Sequence, residues 1–354
     1  MSALTNSEKS TAVIGPDELY QHPKLFPSII KSDTFRLFLA LVGLVVVFSA
    51  LRTDAFATVS NVMNILSDAS ILMVLAVGAT FVITTAGIDL SVGGVLVFSS
   101  VVSAQTMAAI GDGSPGTLII GVIVAIVGGS AWGLINGFFV AKARIPALIV
   151  TLATMGASLG VSLLITKGVD VRNVPFSLVE SIGSGTLLGV PVLVVIAAAV
   201  AAIFGTVLAQ TRFGRYTYAI GSNPEALRRT GVNTSRHLIK VYMLAGALAG
   251  LAGYLSVARF ATTTIGGHST DNLQAITAVV IGGASLFGGR GLMIGTVIGV
   301  FIPTVLQNGF VVLNISPYWQ QIAVGAVLLG PSTWTKSGAK LATGNTIFQN
   351  CSTD

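Results

Sequence analysis

Residues 117–141 read TLIIGVIVAIVGGSAWGLINGFFVA, a run without a single charged side chain. A helix needs about 20 apolar residues to cross a hydrocarbon core of about 30 Å, and this run is long enough. Further apolar runs flank it on both sides, at about 37–53, 66–86, 91–110, 146–166, 190–209, 241–260, 273–288, 292–313 and 318–334. The pattern predicts an all-α integral membrane protein with about ten transmembrane helices, of which the run 273–288 is the shortest and a candidate half-helix.

Composition excludes several classes of protein. Of the 354 residues, 53% are hydrophobic and 9% are charged, whereas soluble domains carry roughly 25% charged residues. The net charge of +6 is distributed over short segments between apolar runs, which indicates membrane orientation and argues against nucleic acid binding. The one cysteine, Cys351, and the three scattered histidines provide no metal site and no catalytic cluster.

The positions of lysine and arginine predict the orientation of the chain. If the runs alternate across the membrane, all but four of the 19 Lys and Arg residues lie on one side. The four exceptions are Arg52, Lys167, Arg172 and Arg259. The positive-inside rule then places both termini in the cytoplasm of a multi-pass plasma membrane protein. We divide the chain into a polar cytoplasmic leader (1–36), a transmembrane permease domain (37–334) with a basic cytoplasmic loop (210–240), and a polar tail (335–354).

The first polar interruption is the segment Gly87-Ile88-Asp89-Leu90-Ser91-Val92-Gly93-Gly94. It places the Asp89 carboxylate close to membrane depth, where a charge is costly unless it faces water, a substrate or a partner. One interpretation is that Gly87, Asp89 and Ser91 line a substrate pathway. The other is that Asp89 or Ser91 caps the helix that follows. Both can hold together.

The second interruption is the glycine-rich segment 282–291. A phosphate-binding P-loop requires Gly-Lys-Ser/Thr, which the chain lacks, so we interpret the segment as a sharp break between two membrane helices. Broken helices line substrate pathways in transporters, which makes Gly282, Gly283 and Ser285 candidate pathway residues. The GxxxG spacings at Gly133/Gly137, Gly156/Gly160, Gly246/Gly250 and Gly291/Gly295/Gly299 indicate helix packing.

The basic loop 210–240 predicts one short helix with complete end signals. Asn223 is a helix N-cap, Pro224 and Glu225 suit a first turn, and Gly231 suits a left-handed stop. Between them lie Ala226 and the last-turn cations Arg228 and Arg229. A rigid helix on the cytoplasmic face can dock a soluble partner, and a solvated surface helix is the alternative.

Three motifs in this order resemble the ribose-type sugar permeases of bacterial ATP-binding-cassette (ABC) transporters. They are residues 87–91, the stretch 211–223 with its Thr-Arg-Phe-Gly-Arg-Tyr start, and residues 278–289. The resemblance extends from about Phe56 to Leu329. It implies a type II importer permease that pairs with a second permease in a homodimer or heterodimer. It also implies a cytoplasmic ATPase that docks on the 210–240 loop, and an extracytoplasmic sugar-binding protein.

The end of the chain departs from this family. After Gly330 the sequence continues Pro331-Ser332-Thr333-Trp334-Thr335-Lys336, where family members continue with apolar residues and a short basic tail. The codons for this stretch, read one base earlier, permit Ala-Val-Tyr-Met-Asp-Gln. We infer a single-base frameshift near Gly330, in the gene or in the recorded sequence.

Three functions were weighed. A passive permease subunit needs no cofactor, because ATP acts through its partner. A secondary transporter would need ionisable groups within several spans, and only Asp68 and Asp89 are near candidates. A membrane enzyme would need clustered acid, base or nucleophile residues, which the sequence lacks. We therefore expect the permease subunit of an importer for ribose or a similar monosaccharide, with another small polar solute as the alternative substrate.

Overall fold

The computed structural model describes residues 33–268 and 270–316, together with residues 319 and 322. In chain order the elements are α1 (Asp33–Leu51), α2 (Val59–Thr84), α3 (Val92–Ile110), α4 (Pro115–Ala141), α5 (Ala147–Thr166), α6 (Phe176–Leu178) with a π-helical turn (Val179–Gly183), β1 (Thr186–Leu187), β2 (Val190–Pro191), α7 (Val192–Gln210), α8 (Arg212–Ser222), α9 (Pro224–Arg229), α10 (Thr234–Phe260), α11 (Asp271–Ile281) and α12 (Met293–Val312). The two strands pair antiparallel in a small hairpin.

Eight of these helices are long and apolar enough to cross a membrane: α1 to α5, α7, α10 and α12. The expected span 273–288 is the shorter helix α11, whose 11 residues extend about 16 Å, roughly half of the hydrocarbon core. Helix α11 ends at Ile281 because Gly283, two residues further on, has φ +93°, a conformation that a right-handed helix does not contain. The expected span 318–334, the tail 335–354 and the leader up to residue 32 lie outside the described residues.

Successive long helices alternate in direction, so the described loops gather at two ends of the bundle. At one end the backbone N–H of Gly289 donates to the carbonyl oxygen of Thr84 at 2.9 Å. At the other, the Ser177 hydroxyl donates to the carbonyl oxygen of Gly113 at 2.6 Å. The first, here called the basic end, comprises residues 142–146, 211–233 and 282–292; the opposite end comprises residues 52–58, 111–114, 167–191 and 261–265. The turn 85–91 and the segment 266–270 meet inside the bundle, where the Asn272 amide donates to the Leu90 carbonyl oxygen at 3.1 Å. The basic end carries seven of the 14 described lysines and arginines, and the opposite end carries three.

Helix α10 lies at the centre of the bundle, against α2, α3 and α4. Its contact with α4 is made backbone to backbone, because glycines face each other along both helices. A Cβ at Gly133 would lie 2.9 Å from the Cα of Met243, and one at Gly246 would lie 2.9 Å from the Cα of Gly133. No real Cβ atom fits at such distances. The packing predicted for the spacings Gly133/Gly137 and Gly246/Gly250 is therefore present, and we call this contact the glycine seam.

The other GxxxG spacings behave differently from one another. A Cβ at Gly295 or Gly299 would meet the backbone of Gly282 or Ala278, so these glycines pack α12 against α11. A Cβ at Gly156 or Gly160 would meet no described atom within 4 Å. The packing expected of this pair on α5 is therefore absent from the described part of the subunit.

The glycine seam makes a prediction about stability. We expect Gly133→Ala to lower the melting temperature of the detergent-purified protein by several degrees, because the added methyl overpacks the seam at a cost of roughly 1–3 kcal/mol. Gly43→Ala is the matched control: Gly43 also lies in a transmembrane helix, and no described atom comes within 4 Å of its Cβ position. The control should not lower the melting temperature, because alanine favours helix more than glycine does. Equal melting temperatures for the two variants would contradict the seam.

Candidate functional site

Asp89 lies in the turn between α2 and α3, which runs from the loop 282–292 into the bundle and meets the start of α11 through the Asn272–Leu90 hydrogen bond. Its Oδ1 accepts hydrogen bonds from the Ser91 backbone N–H at 2.9 Å and from the Ser91 hydroxyl at 2.6 Å. The residue is 3% exposed. Asp89 therefore orders the first turn of α3 and does not face open solvent within the subunit. The N-cap residue of α3 is Ser91, whose side chain makes no capping hydrogen bond, so the geometry agrees with a capping role for Asp89 alone. The pathway role of Gly87, Asp89 and Ser91 stays a prediction.

The same hydrogen-bond chain continues through residues that sequence reasoning missed. The Asn136 amide on α4 donates to the Ser91 hydroxyl at 2.7 Å, and the Thr154 hydroxyl on α5 donates to Asn136 Oδ1 at 2.6 Å. All three side chains are buried. The chain thus joins α3, α4 and α5 close to the basic end. An isolated asparagine inside an otherwise apolar run was the available signal, because an unpaired amide is costly in hydrocarbon.

Gly87 is positioned by close approach to α10. A Cβ at this residue would lie 2.7 Å from the Tyr242 hydroxyl oxygen, which has no hydrogen-bond partner among the described residues. No described cation pairs with Asp89. Burial raises the pKa of its carboxyl above the usual value, and the hydrogen bonds from Ser91 lower that pKa by less than burial raises it.

The glycine-rich segment 282–291 forms a tight loop at the basic end. The backbone N–H of Ser285 donates to the Arg290 carbonyl oxygen at 3.0 Å, and the Ser285 hydroxyl accepts from the backbone N–H of Phe287 at 3.2 Å. Gly282 packs against Gly295 at the start of the loop. The predicted helix break is confirmed. The structure brings this loop onto the turn before Asp89, since a Cβ at Gly288 would lie 2.8 Å from the Ala86 Cβ.

Helix α9 has the ends that its sequence predicts. The Asn223 side chain accepts from the backbone N–H of Ala226 at 2.9 Å, with Pro224 and Glu225 in the first turn. Arg228 and Arg229 occupy the last turn. The chain then turns at Gly231, whose φ is +84°. None of the residues of α9 is buried, so the helix projects from the basic end.

The loop 210–240 holds a second helix that we did not predict. Helix α8, Arg212–Ser222, begins at the N-cap Thr211, whose hydroxyl accepts from the Gly214 backbone N–H at 3.3 Å. It buries Gly214, Thr217 and Ile220, a spacing of three to four residues that places them on one face. The two glycines and the high polar content of this segment disfavour a helix, so the sequence did not predict one here. The C-terminus of α8 contacts the loop 282–291, because a Cβ at Gly289 would lie 3.3 Å from the Ser222 backbone nitrogen.

Inside the bundle, a buried histidine joins α10 to α11 beside the start of α3, since a Cβ at Gly93 would lie 3.1 Å from the His268 carbonyl oxygen. His268 Nδ1 lies 2.7 Å from Asp271 Oδ2, and its Nε2 lies 2.7 Å from the hydroxyls of both Ser256 and Thr264. His268 and Ser256 are both buried, so the cluster anchors the start of α11. Within the ranges 33–268 and 270–316, no group of three or more His, Cys, Asp or Glu side chains could hold a metal ion.

Comparison with known proteins identifies a family that the sequence matches. Residues 61–330 match the family described as branched-chain amino acid transport system / permease component. The chain is 39% identical over 298 residues to the ribose import permease protein RbsC of Haemophilus influenzae, covering 83% of this chain and 90% of the relative. It is 36% identical over 293 residues to RbsC of Bacillus subtilis, covering 82% and 89%.

A third relative is the D-allose transport system permease protein AlsC of Escherichia coli, 33% identical over 298 residues and covering 84% of this chain and 90% of the relative. No solved structure matches the chain.

The capping geometry of Asp89 makes a prediction. We expect Asp89→Asn to keep membrane insertion, stability and transport close to wild type, because an amide oxygen can accept the same hydrogen bonds from Ser91. Asp89→Leu should destabilise the protein by about 1–3 kcal/mol, since it leaves the buried Ser91 N–H unpaired. Thermal unfolding in detergent and solute uptake are the measurements. Lost uptake by a stable Asp89→Asn protein would instead favour a direct pathway role for the carboxylate.

Proposed function

The chain belongs to the family of branched-chain amino acid transport system permease components, and we propose that it is the permease subunit of an ABC importer that carries a monosaccharide. It is a multi-pass inner membrane protein. The observation that carries the proposal is the similarity to ribose import permeases along more than four fifths of the chain. The D-allose relative has a similar extent of match, so the proposal names a class of sugar and leaves the individual sugar open.

We propose that the basic end faces the cytoplasm and that both termini lie there. The support is the excess of lysine and arginine at this end, which the positive-inside rule associates with the cytoplasm. A ten-span, type II permease fits this orientation, with residues 318–334 forming the last crossing. In the cell the subunit would pair with a second permease copy or a homologous permease and receive sugar from an extracytoplasmic binding protein.

The docking surface for the ATPase subunit would be formed by α9 and the loop 282–291. No residue of helix α9 is buried, its first turn is capped by Asn223, and an exposed ion pair within the helix joins Arg228 to Glu225 at 3.1 Å. The loop contributes Phe287, whose side chain is 90% exposed beside the end of α8. An exposed aromatic side chain next to a rigid helix is the composition that protein interfaces favour.

Energy supply provides the first test. The chain has no P-loop, and its glycine-rich segment carries no lysine beside a serine or threonine, so ATP must act through another subunit. We expect the purified chain to show no saturable ATP hydrolysis in liposomes. Addition of the ATPase subunit and the binding protein should give ATP-dependent uptake of D-ribose or a related sugar. Ion-driven uptake by the chain alone would favour a secondary transporter instead.

Helix α9 provides a second test, through the turn that ends it. Gly231→Val should abolish binding to the ATPase subunit and its stimulation, because a β-branched residue adopts φ +84° poorly. The local cost is roughly 1–2 kcal/mol, enough to misdirect α9 without unfolding the bundle. The matched control is Gly168→Val: Gly168 follows α5 at the opposite end, has φ +76°, and has no described atom within 4 Å of its Cβ position. Co-purification with the ATPase should fail only for Gly231→Val, and equal loss in both variants would contradict the docking role.

Cross-linking tests the same surface directly. In a Cys351→Ser background, Ala226→Cys should cross-link to the ATPase subunit, whereas Ser184→Cys at the opposite end should not. Reaction of the cysteine at 226 with a membrane-impermeant reagent added outside intact cells would contradict both the orientation and the docking role.

A further inference from the structure

We infer that Tyr218 on α8 is a positioning residue for transport, because its hydroxyl holds the loop 282–291 against α8 and thereby links the docking helix α9 to the turn that carries Asp89. The Tyr218 hydroxyl donates to the carbonyl oxygen of Gly291 at 2.6 Å. Among the described residues, this is the only hydrogen bond that joins α8 to the loop. Docking of an ATPase subunit on α9 is taken from the proposed function, on which this role of Tyr218 rests.

Helices α8 and α9 are joined by a single residue, Asn223. Its backbone N–H donates to the Ala219 carbonyl oxygen at 2.9 Å and so ends α8. Its side chain accepts from the Ala226 backbone N–H at 2.9 Å and so begins α9. Because the same residue caps both helices, a displacement of α9 by a docked subunit also displaces α8.

The C-terminus of α8 meets the loop and the end of α2 in backbone contact. A Cβ at Gly221 would collide with the Thr84 carbonyl oxygen and would lie 3.1 Å from the carbonyl carbon of Gly288. The same Thr84 oxygen accepts from the Gly289 backbone N–H at 2.9 Å. A Cβ at Gly288 would lie 2.7 Å from the Ala86 backbone nitrogen. Three segments thus meet backbone to backbone, and we call these five residues the glycine junction.

The glycine junction leads directly to Asp89. Ala86 has a φ of +62°, a left-handed conformation that alanine adopts rarely, so its surroundings have to hold it in place. Gly288 lies against Ala86, and Asp89 follows three residues later in the same turn. A shift of the junction therefore changes the direction in which the chain enters residues 87–91.

The close contacts and the hydrogen bond contribute differently to this link. Backbone atoms in contact resist compression, whereas pulling a few of them apart costs little dispersion energy. A transport cycle returns to its starting state, so α9 has to move in both directions, and separation of α8 from the loop is opposed by the Tyr218–Gly291 hydrogen bond. Burial raises the pKa of Tyr218 above its usual value, so the hydroxyl stays protonated and able to donate at neutral pH.

Amide hydrogen exchange of the purified chain is the first measurement, and it does not depend on the proposed function. In Tyr218→Phe, the backbone amides of Ala86, Gly87 and Gly289 should exchange about threefold to tenfold faster, the change in an opening equilibrium that corresponds to one lost hydrogen bond. Tyr216→Phe is the matched control, since the Tyr216 hydroxyl on the same helix has no hydrogen-bond partner among the described residues. Unchanged exchange at residues 86 and 87 in Tyr218→Phe would overturn the positioning role.

Sugar uptake per ATP hydrolysed is the second measurement. In liposomes with the ATPase subunit and the binding protein, Tyr218→Phe should keep ATPase co-purification and ATP hydrolysis at wild-type levels. The amount of D-ribose carried per ATP should fall about threefold to tenfold, because part of each displacement of α9 no longer reaches the turn. Tyr216→Phe should keep the wild-type ratio. A purely structural role would lower co-purification, hydrolysis and uptake together. That result, or a wild-type ratio in Tyr218→Phe, would overturn the positioning role.

The two measurements separate the role of Tyr218 from the proposed function. If the wild-type chain binds no ATPase subunit and takes up neither D-ribose nor D-allose while exchange at residues 86 and 87 responds to Tyr218→Phe, the importer assignment fails. The transport role of Tyr218 then fails with it, and only the glycine junction stands. If wild-type uptake is ATP-dependent and exchange at these residues does not respond, the positioning role fails and the importer assignment stands.

Discussion

Backbone contact between α4 and α10 is the constraint on which the remaining structure depends. Hydrocarbon offers no hydrophobic driving force between apolar helices, so their association relies on close packing and internal hydrogen bonds. Facing glycines at positions such as Gly133 and Gly246 allow that packing, and they place α10 where it also contacts α2 and α3. The two ends of the bundle follow from this arrangement, and with them the position of α9.

Polar groups in the bundle divide into two kinds according to whether they are satisfied internally. Ser91, Asn136 and Thr154 hydrogen-bond to one another and are buried, so they contribute to packing. Asp68 and Arg259 pair with each other yet remain partly exposed. A transporter needs both kinds, because a fully satisfied interior cannot exchange contacts with a passing solute.

Features encoded within a few neighbouring residues were the ones that the sequence predicted well. The apolar runs and the capped helix α9 are of this type, since each depends on composition or on one turn of chain. Helix α8, the Asn136 bridge and the ion pair between Asp68 and Arg259 were not predicted. Asp68 and Arg259 are far apart in the chain and meet only because α2 and α10 are adjacent. The early end of α11 depends on the left-handed conformation of Gly283, which an apolar composition does not predict.

The hydrogen-bond chain from Asp89 to Thr154 has a consequence for biogenesis. As the ribosome delivers the chain, the Asn136 amide enters the membrane before Thr154, its partner on α5, has been synthesised. Until then the amide lacks half of its bonds in a solvent that supplies none. Helices α3 to α5 therefore have to be released into the lipid together, as one assembly unit, and a ribosome stalled before α5 would leave a nascent chain that the membrane quality-control machinery can recognise.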